Sequence, residues 1–392
     1  MDYPEFLQML NKEISNPASG QLSRQIITFA RPRQYRECLH ALNNMKSTLT
    51  SLRQVQPSRL IDALIVPLAS TARLTAYLGD IFIEEDERIA MHGAAMTSPL
   101  KNNANTGVPW GVEQIKAPKV WSTSTGYRVK IGVIDTGADY QHPDLRYSLA
   151  PGINLLNRMM LPYDDNGHGT HIAGIIAAAN STGGMIGVAP RSLIYPVKAF
   201  DHQGSAYVSD IILGIDWCVR SGLDIINMSF GMKTRSKALL DVVKRATRAG
   251  IVIVASSGND GKRRSIDYPA RYPQTIAVGA TDRRRKIAGF SNRGPYVDIY
   301  APGDKIVSSW VRGKHHEMSG TSMATSHVSG AIALLLAQRP GLSPAEIKTL
   351  ITRTANPLPV RKNAKGTAQV SRGEVDALRL VREGMRLPSS KT

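Results

Sequence analysis

The sequence predicts an α/β domain, a doubly wound parallel sheet with helices on both faces, preceded by a small α+β domain. From residue 108 onward, short and continuously apolar runs alternate with helical stretches, as in parallel strands that are buried on both faces. Residues 23–92 carry a separate, shorter alternation of strand and helix patterns. A stretch of small and polar residues without an apolar period lies between the two parts.

The same patterns divide the chain into five segments. Residues 1–22 are expected to be an N-terminal extension, and residues 23–92 the small domain. Residues 93–107 are expected to be an exposed linker of the kind that proteases cut. The large domain is expected over 108–381, with a flexible tail at 382–392.

Each domain has its own expected elements. In the small domain, strands are expected at 24–30, 60–67 and 81–83, and helices at 35–49 and 70–78. The large domain has expected strands at 129–134, 194–197, 223–228, 251–255 and 275–278. Its expected helices are at about 168–179, 207–220, 235–249, 320–338 and 343–353. Because ligands bind beyond the carboxyl ends of parallel strands, residues at those ends are the first candidates for a functional site.

Composition excludes several classes of protein. The chain is 42% hydrophobic and 20% charged, as globular proteins are, and no run of about 18 apolar residues predicts a membrane span. The net charge of +18 lies almost entirely after residue 104 and favours anionic partners. However, the basic clusters at 262–264 and 283–286 lack interleaved aromatic residues, so no specific nucleic-acid binding is expected.

The cysteines and the opening residues bear on compartment. Cys38 and Cys218 are too far apart for a metal-binding motif and are expected to be two unpaired thiols. The first twenty residues begin with acids and lack the basic and apolar regions of a secretory signal. We therefore expect a cytoplasmic protein, or one exported without a signal peptide, unless the true start lies upstream.

Three motifs carry candidate catalytic residues. Asp135 follows a predicted strand, His168 opens a small-residue helix, and Ser322 opens an apolar helix. Each has an ordinary structural interpretation as well. The aspartate fits a turn, the serine fits a helix cap, and His168 with His171 fits two metal ligands on one helical face.

The order of the three motifs makes separate interpretations hard to sustain, because Asp, His, Ser is the chain order of subtilisin. Over residues 108–380 the sequence resembles the subtilase family, and the resemblance implies a subtilisin-like serine endopeptidase that acts through an acyl-enzyme. It implies that Ser322 is the nucleophile, His168 the general base and Asp135 the group that orients His168. Asn259, in the run ASSGNDG, is implied as the side-chain donor of the oxyanion hole.

The resemblance also implies where protein or peptide substrates bind. Gly204 and Ser205 are implied as an edge that pairs with the substrate backbone, which gives broad specificity. The walls of the S1 pocket, which receives the substrate residue on the amino side of the cut bond (P1), are implied at Ser229, Phe230, Gly231 and Gly258. Asp267 is placed at the base of S1 with Asp260 at its rim, so a preference for Arg or Lys at P1 is expected.

A structural calcium ion and a propeptide are implied in the same way. Asp144 and the loop that begins at Asn180 resemble parts of the family's calcium site, although Thr106 and Ser181 replace two usual ligands. No organic cofactor is expected. Residues 24–90 resemble the family's inhibitory propeptide, a ferredoxin-like α+β domain, which implies a zymogen cut within about residues 93–106. A monomer is expected, with its own propeptide as intramolecular inhibitor.

Three other functions remain open on sequence grounds. Asp135 begins a D-T-G-A string of the kind found in aspartic proteases, but that chemistry needs a second carboxylate, and no second copy of the string occurs. A zinc hydrolase would use His168 and His171. A binding protein that keeps the fold without the activity is the third.

Overall fold

The computed structural model describes residues 1–15, 22–91, 95–99, 107–179, 183–359 and 372–387. The helices are α1 (Tyr3–Ser15), α2 (Pro32–Met45), α3 (Trp110–Gln114), α4 (His168–Ala177), α5 (Val208–Arg220), α6 (Lys237–Arg248), α7 (Thr321–Leu336), α8 (Pro344–Arg353) and α9 (Ala377–Arg386). In the small domain and the stretch after it, the strands are β1 (Ser23–Phe29), β2 (Gln56–Ser58), β3 (Ala63–Leu68), β4 (Ile81–Glu85), β5 (Arg88–Ala90) and β6 (Ala95–Pro99). Those of the large domain are β7 (Lys130–Asp135), β8 (Ile153–Asn154), β9 (Leu193–Lys198), β10 (Ser205–Tyr207), β11 (Ile225–Met228), β12 (Val252–Ser256), β13 (Ile276–Thr281), β14 (Ile299–Pro302), β15 (Ile306–Trp310) and β16 (Lys314–Ser319).

The small domain is a four-stranded antiparallel sheet in the order β2-β3-β1-β4. With α2 after β1 and a 3₁₀ helix at Ala72–Tyr77 before β4, it has the ferredoxin-like arrangement that the resemblance implied. One face of the sheet packs with α1 and α2 around Phe6, Leu10 and Leu42. The other face contributes Ile26 and Ile65 to a core shared with α5 and α6, so the small sheet lies on the large domain.

The large domain confirms the parallel α/β prediction. Its seven-stranded sheet has the order β14-β13-β12-β11-β7-β9-β8, and every pairing is parallel. Separate apolar cores lie on its two faces, one with α4, α7 and α8 and the other with α5 and α6. Every residue of α7 is buried, both the apolar residues of its second half and the polar residues, such as Ser326 and His327, of its first half. In the described part of the chain, no helix is long and apolar enough to cross a membrane.

Two expected chain ends differ from the structure. Residues 1–22 were expected to be an extension, but α1 buries Phe6, Leu7 and Leu10 in the core of the small domain. The flexible tail predicted from residue 382 is wrong as far as Arg386, because α9 continues to that residue and Gly384 packs against Leu335. The many charged residues of α9 lie on one side of an amphipathic helix, and its apolar side is buried. Residues 388–392, and most of the predicted linker, lie outside the described residues.

Candidate active site

Asp135 and His168 meet where β7 ends and α4 begins. The Asp135 carboxylate is buried, and its two oxygens lie 2.9 and 3.0 Å from His168 Nδ1. This pairing fixes the proton on Nδ1 and leaves the lone pair on Nε2. The Nε2 atom is buried and has no hydrogen-bond partner in the described part of the chain. A histidine held this way is ready to accept a proton through Nε2.

The junction between β7 and α4 depends on Asp164 and Thr136, which the sequence analysis missed. The Asp164 carboxylate accepts hydrogen bonds from Thr136 Oγ1 (2.8 Å) and from Thr170 N (2.9 Å). Thr136 Oγ1 in turn accepts from Gly169 N at 3.0 Å. These bonds tie the end of the strand to the first turn of the helix. The only sequence signal was an aspartate just ahead of a predicted helix start.

Ser322 is the second residue of α7 and is buried. Its hydroxyl donates to the carbonyl oxygen of Ser229 at 2.9 Å, so in this structure it is not directed at His168. Helices α4 and α7 pack against each other, which brings the two helix starts to the same end of the sheet. In the first turn of a helix the backbone N–H groups lack intrahelical partners, so Ser322 N is a free donor beside its own hydroxyl.

Asn259 follows β12 and lies beside the start of α7. Its Oδ1 atom accepts from Thr321 N at 2.9 Å and from Thr321 Oγ1 at 2.8 Å. Its Nδ2 atom is buried without a partner in the described residues and lies 3.2 Å from the place where a Cβ on Gly320 would be. Thr321 therefore holds the amide so that an unused N–H donor lies next to the Ser322 turn.

An extended segment of the same chain lies along the predicted substrate edge. Strand β5 pairs antiparallel with β10, and Met91 N donates to Gly204 O at 2.9 Å. On the other side Met91 forms an antiparallel bridge with Phe230. The backbones at Gly204, Ser205 and Phe230 thus flank a peptide strand. The Phe230 side chain does not line a pocket, because it is buried against Phe200 with ring centroids 5.0 Å apart.

Asp267 lies at the predicted base of S1, but it is already in an ion pair. Its Oδ1 atom is 2.6 Å from the ammonium of Lys233, which also contacts Asp260. A Cβ on Gly258 would lie 2.5 Å from Asp267 Oδ2, so the glycine lets this carboxylate pack against the backbone before Asn259.

The surroundings of Asp144 do not fit calcium. Its Oδ2 atom lies 2.6 Å from His315 Nε2 and 3.2 Å from Ser309 Oγ, and His142 Nδ1 is 3.9 Å away. Calcium prefers six to eight oxygen ligands, whereas imidazole nitrogens and a hydroxyl surround this carboxylate. The Asp144 backbone does reach the expected loop, where it accepts from Ala179 N, but Asn180 lies outside the described residues. No calcium-dependent step follows from these donors.

His168 and His171 do not form a metal site. His171 is fully buried, and its Nε2 atom contacts the carbonyl oxygens of Ile306 (3.2 Å) and His316 (3.0 Å). Burial lowers its pKa to about 3, so the ring is neutral and Nε2 is the donor. Because His168 is bonded to Asp135 instead, the two rings have separate roles and the zinc interpretation loses its ligands.

Comparison with known proteins identifies the family. Residues 126–375 match the Subtilase family. The chain belongs to this family. It is 45% identical to Subtilisin of Bacillus pumilus over 253 residues, which are 63% of this chain and 91% of the relative. It is also 45% identical to Subtilisin E of Bacillus subtilis (strain 168), of which it covers 66%, and 41% identical to Subtilisin Savinase of Lederbergia lenta, of which it covers 92%.

This subtilase is a serine endopeptidase that acts on protein substrates, as the sequence predicted. The aspartic-protease, zinc and non-enzymatic alternatives are therefore set aside. Subtilisins generally bind calcium, but Asp144 here is bonded to His315. The prediction of a cytoplasmic protein is wrong, because the subtilisins that this subtilase matches are secreted extracellular proteases. The composition of the first twenty residues therefore did not identify the compartment of the protein.

Proposed function

We propose that Asp135, His168 and Ser322 are the catalytic triad of this subtilase and that residues 23–92 are its inhibitory propeptide. The observation that carries both proposals is the strand at Arg88–Ala90 with Met91. It lies along the β10 edge beside Phe230, and two buried nitrogens of the proposed site, His168 Nε2 and Asn259 Nδ2, have no hydrogen-bond partner among the described residues.

The chemistry follows from the protonation of His168. Nε2 takes the proton of the Ser322 hydroxyl as Oγ attacks the substrate carbonyl carbon, after the hydroxyl turns away from Ser229. Asp135 stabilises the imidazolium that forms, and Asn259 Nδ2 and Ser322 N donate to the oxyanion. His168 then gives its proton to the departing amine, and water hydrolyses the acyl-enzyme through the same base.

Substrate selection by the backbone supports broad specificity. The β10 edge and Phe230 recognise an extended peptide through main-chain hydrogen bonds, which place little demand on side chains.

The zymogen proposal also draws on contacts outside the groove. Glu84 accepts hydrogen bonds from Lys237 N and Ala238 N at the start of α6, and Asp86 accepts from Ser209 N at the start of α5. Carboxylates at helix N-termini satisfy backbone donors and the helix dipole. These two caps align the small domain so that the following strand enters the substrate groove.

The processing cleavage is proposed to lie close after Met91. The antiparallel register that pairs Met91 with Phe230 directs the chain toward Ser229, whose carbonyl oxygen holds the Ser322 hydroxyl. Of the predicted segment 93–106, only Ala95–Pro99 is described, and it forms β6, which pairs antiparallel with β16 where an exposed linker was expected. The bond that is cut therefore stays a prediction.

One experiment tests the triad and the zymogen together. The full chain and its Ser322→Ala variant are treated with a fluorophosphonate probe, and both are analysed by intact-mass spectrometry. We expect the wild type to split in two and to carry the probe on Ser322, while Ser322→Ala stays whole and unlabelled. Ser329→Ala, a buried serine on the same helix that bonds Asn227, is the matched control and should be labelled. Unlabelled but processed wild type would contradict the serine mechanism.

A further inference from the structure

The proposed S1 pocket is bounded by two segments that leave neighbouring strands. Met228, at the end of β11, is paired with Ala255 of β12, and the chain diverges beyond both. One segment includes Phe230, which pairs with the strand in the groove, and the other leads to Asn259. A side chain next to the cut bond therefore enters the space between residues 229–233 and 256–260.

Lys233 spans that space. It belongs to the first segment, and its ammonium contacts Asp260 of the second segment and Asp267, which packs against Gly258. The Asp267 side chain is only 2% exposed, whereas that of Lys233 is 57% exposed. The Lys233 ammonium thus enters from the solvent side and pairs with the buried Asp267 carboxylate.

We propose that Lys233 determines P1 specificity by occupying the acidic end of S1, so that the wild-type enzyme disfavours Lys and Arg at P1. This rests on the proposed function of the same site. A P1 ammonium or guanidinium reaches Asp267 only by displacing Lys233, while an uncharged P1 side chain leaves the ion pair intact. The preference for Lys or Arg at P1 that Asp267 alone would give is expected once Lys233 is replaced.

The electrostatics of the three groups support this assignment. Burial works against the charged form of Lys233, but its hydrogen bonds to Asp260 and Asp267 raise its pKa overall. The hydrogen bond from Lys233 is also the largest cause of the lowered pKa of Asp260. Lys233 therefore stays an ammonium at neutral pH. A buried carboxylate strongly favours a nearby cation, so removal of the lysine leaves a position that a basic P1 residue fills.

The test compares two peptides that differ only at P1, with lysine or with norleucine, which has nearly the same shape and no charge. The ratio of kcat/KM for the lysine peptide to that for the norleucine peptide is measured on the processed full-length enzyme. We expect a ratio below one in the wild type, at least ten times higher in Lys233→Met, and near the wild-type value again in Lys233→Met with Asp267→Asn. Lys233→Gln is a second uncharged replacement and should match Lys233→Met.

Lys244→Met on α6 is the matched control, since it removes the same charge from a half-buried lysine that pairs with Asp241 away from the proposed pocket. Its ratio should stay within about twofold of the wild type. An unchanged ratio in both Lys233 variants, or an equal rise in Lys244→Met, overturns the assignment while peptide cleavage itself upholds the proposed function. If the processed wild type cleaves neither peptide and takes up no probe, both proposals fail.

Discussion

At the scale of single residues, the proposed site contains side chains that are fixed by one hydrogen-bonded atom while a second polar atom remains available to a substrate. Asp135 bonds to His168 Nδ1 and Thr321 bonds to Asn259 Oδ1, and in the described part of the chain the remaining nitrogen of each side chain has no hydrogen-bond partner. A buried polar atom without a partner costs free energy, which the surrounding hydrogen bonds offset. Such atoms are therefore expected where a reacting group arrives.

Asn259→Leu removes the proposed oxyanion donor with little change in volume. We expect kcat to fall by ~10²–10³, the loss known for such a donor in subtilisin itself, with KM little changed, because the donor acts on charge that develops in the transition state. Steady-state kinetics on one peptide measure both constants. Thr321→Val, which removes one anchor of the amide and keeps Nδ2, should lose much less. A raised KM at unchanged kcat would instead assign Asn259 to ground-state binding.

At the scale of elements, the close approach of α4 to β7 brings His168 to Asp135. A Cβ on Gly169 would lie 2.2 Å from the carbonyl oxygen of Gly137 and 3.2 Å from Asp135 Oδ1. The helix can begin this near the strand only because residue 169 has no side chain.

Gly169→Ala should therefore push α4 away from β7. We expect a loss of about 1–3 kcal/mol in the free energy of unfolding, as for other overpacked sites, and a lower kcat because the pairing of His168 with Asp135 is disturbed. Thermal denaturation and peptide kinetics measure the two effects. Gly289→Ala is the control, since a Cβ there meets no atom within 4 Å. Full stability and activity in Gly169→Ala would refute this account of the junction.

At the scale of the whole molecule, a buried ionic cluster joins the small domain to the large one. Asp86 lies between Ser209 and Arg24, and Arg24 also pairs with Asp210. Burial raises the pKa of Asp86 to about 6, although its bonds to Ser209 and the charge of Arg24 act in the other direction.

Docking of the proposed propeptide should therefore depend on pH. If Asp86 has its ordinary pKa near 4 when the domains separate, docking takes up a proton between about pH 4 and 6. This contribution is complete below pH 4 and is lost as the pH rises through 6. We expect the processed complex to dissociate more readily at pH 7.5 than at pH 5, with a dissociation constant about tenfold higher.

Analytical ultracentrifugation of the processed complex on dilution measures the dissociation constant without relying on activity. In Asp86→Asn this part of the pH dependence should disappear. A steeper dependence in that variant would mean that other groups control docking.

Local sequence was enough for the α/β class, for the five predicted central strands and for the triad motifs. Apolar runs of strand length reflect the burial of each strand, and small residues around His168 and Ser322 reflect the local turns there. A single segment of sequence encodes both features. Prediction failed where the structure depends on a neighbour. Both α1 and α9 have apolar residues at helical spacing, Phe6, Leu10 and Ile14 in α1 and Leu380, Val381 and Gly384 in α9, but the surface on which each helix packs is not encoded in its own segment.

The sequence by itself determined the kind of sheet, and it was enough to propose which residues carry the catalytic chemistry. Only the tertiary structure decided which charged or polar side chain lies beside each carboxylate near the site. Lys233 meets Asp267, 34 residues away, and His315 meets Asp144, 171 residues away, which removes two ligand sites that the sequence had suggested. The physical reason is that a carboxylate's function depends on the cation or donor beside it, and crossover connections place that partner far away in the sequence.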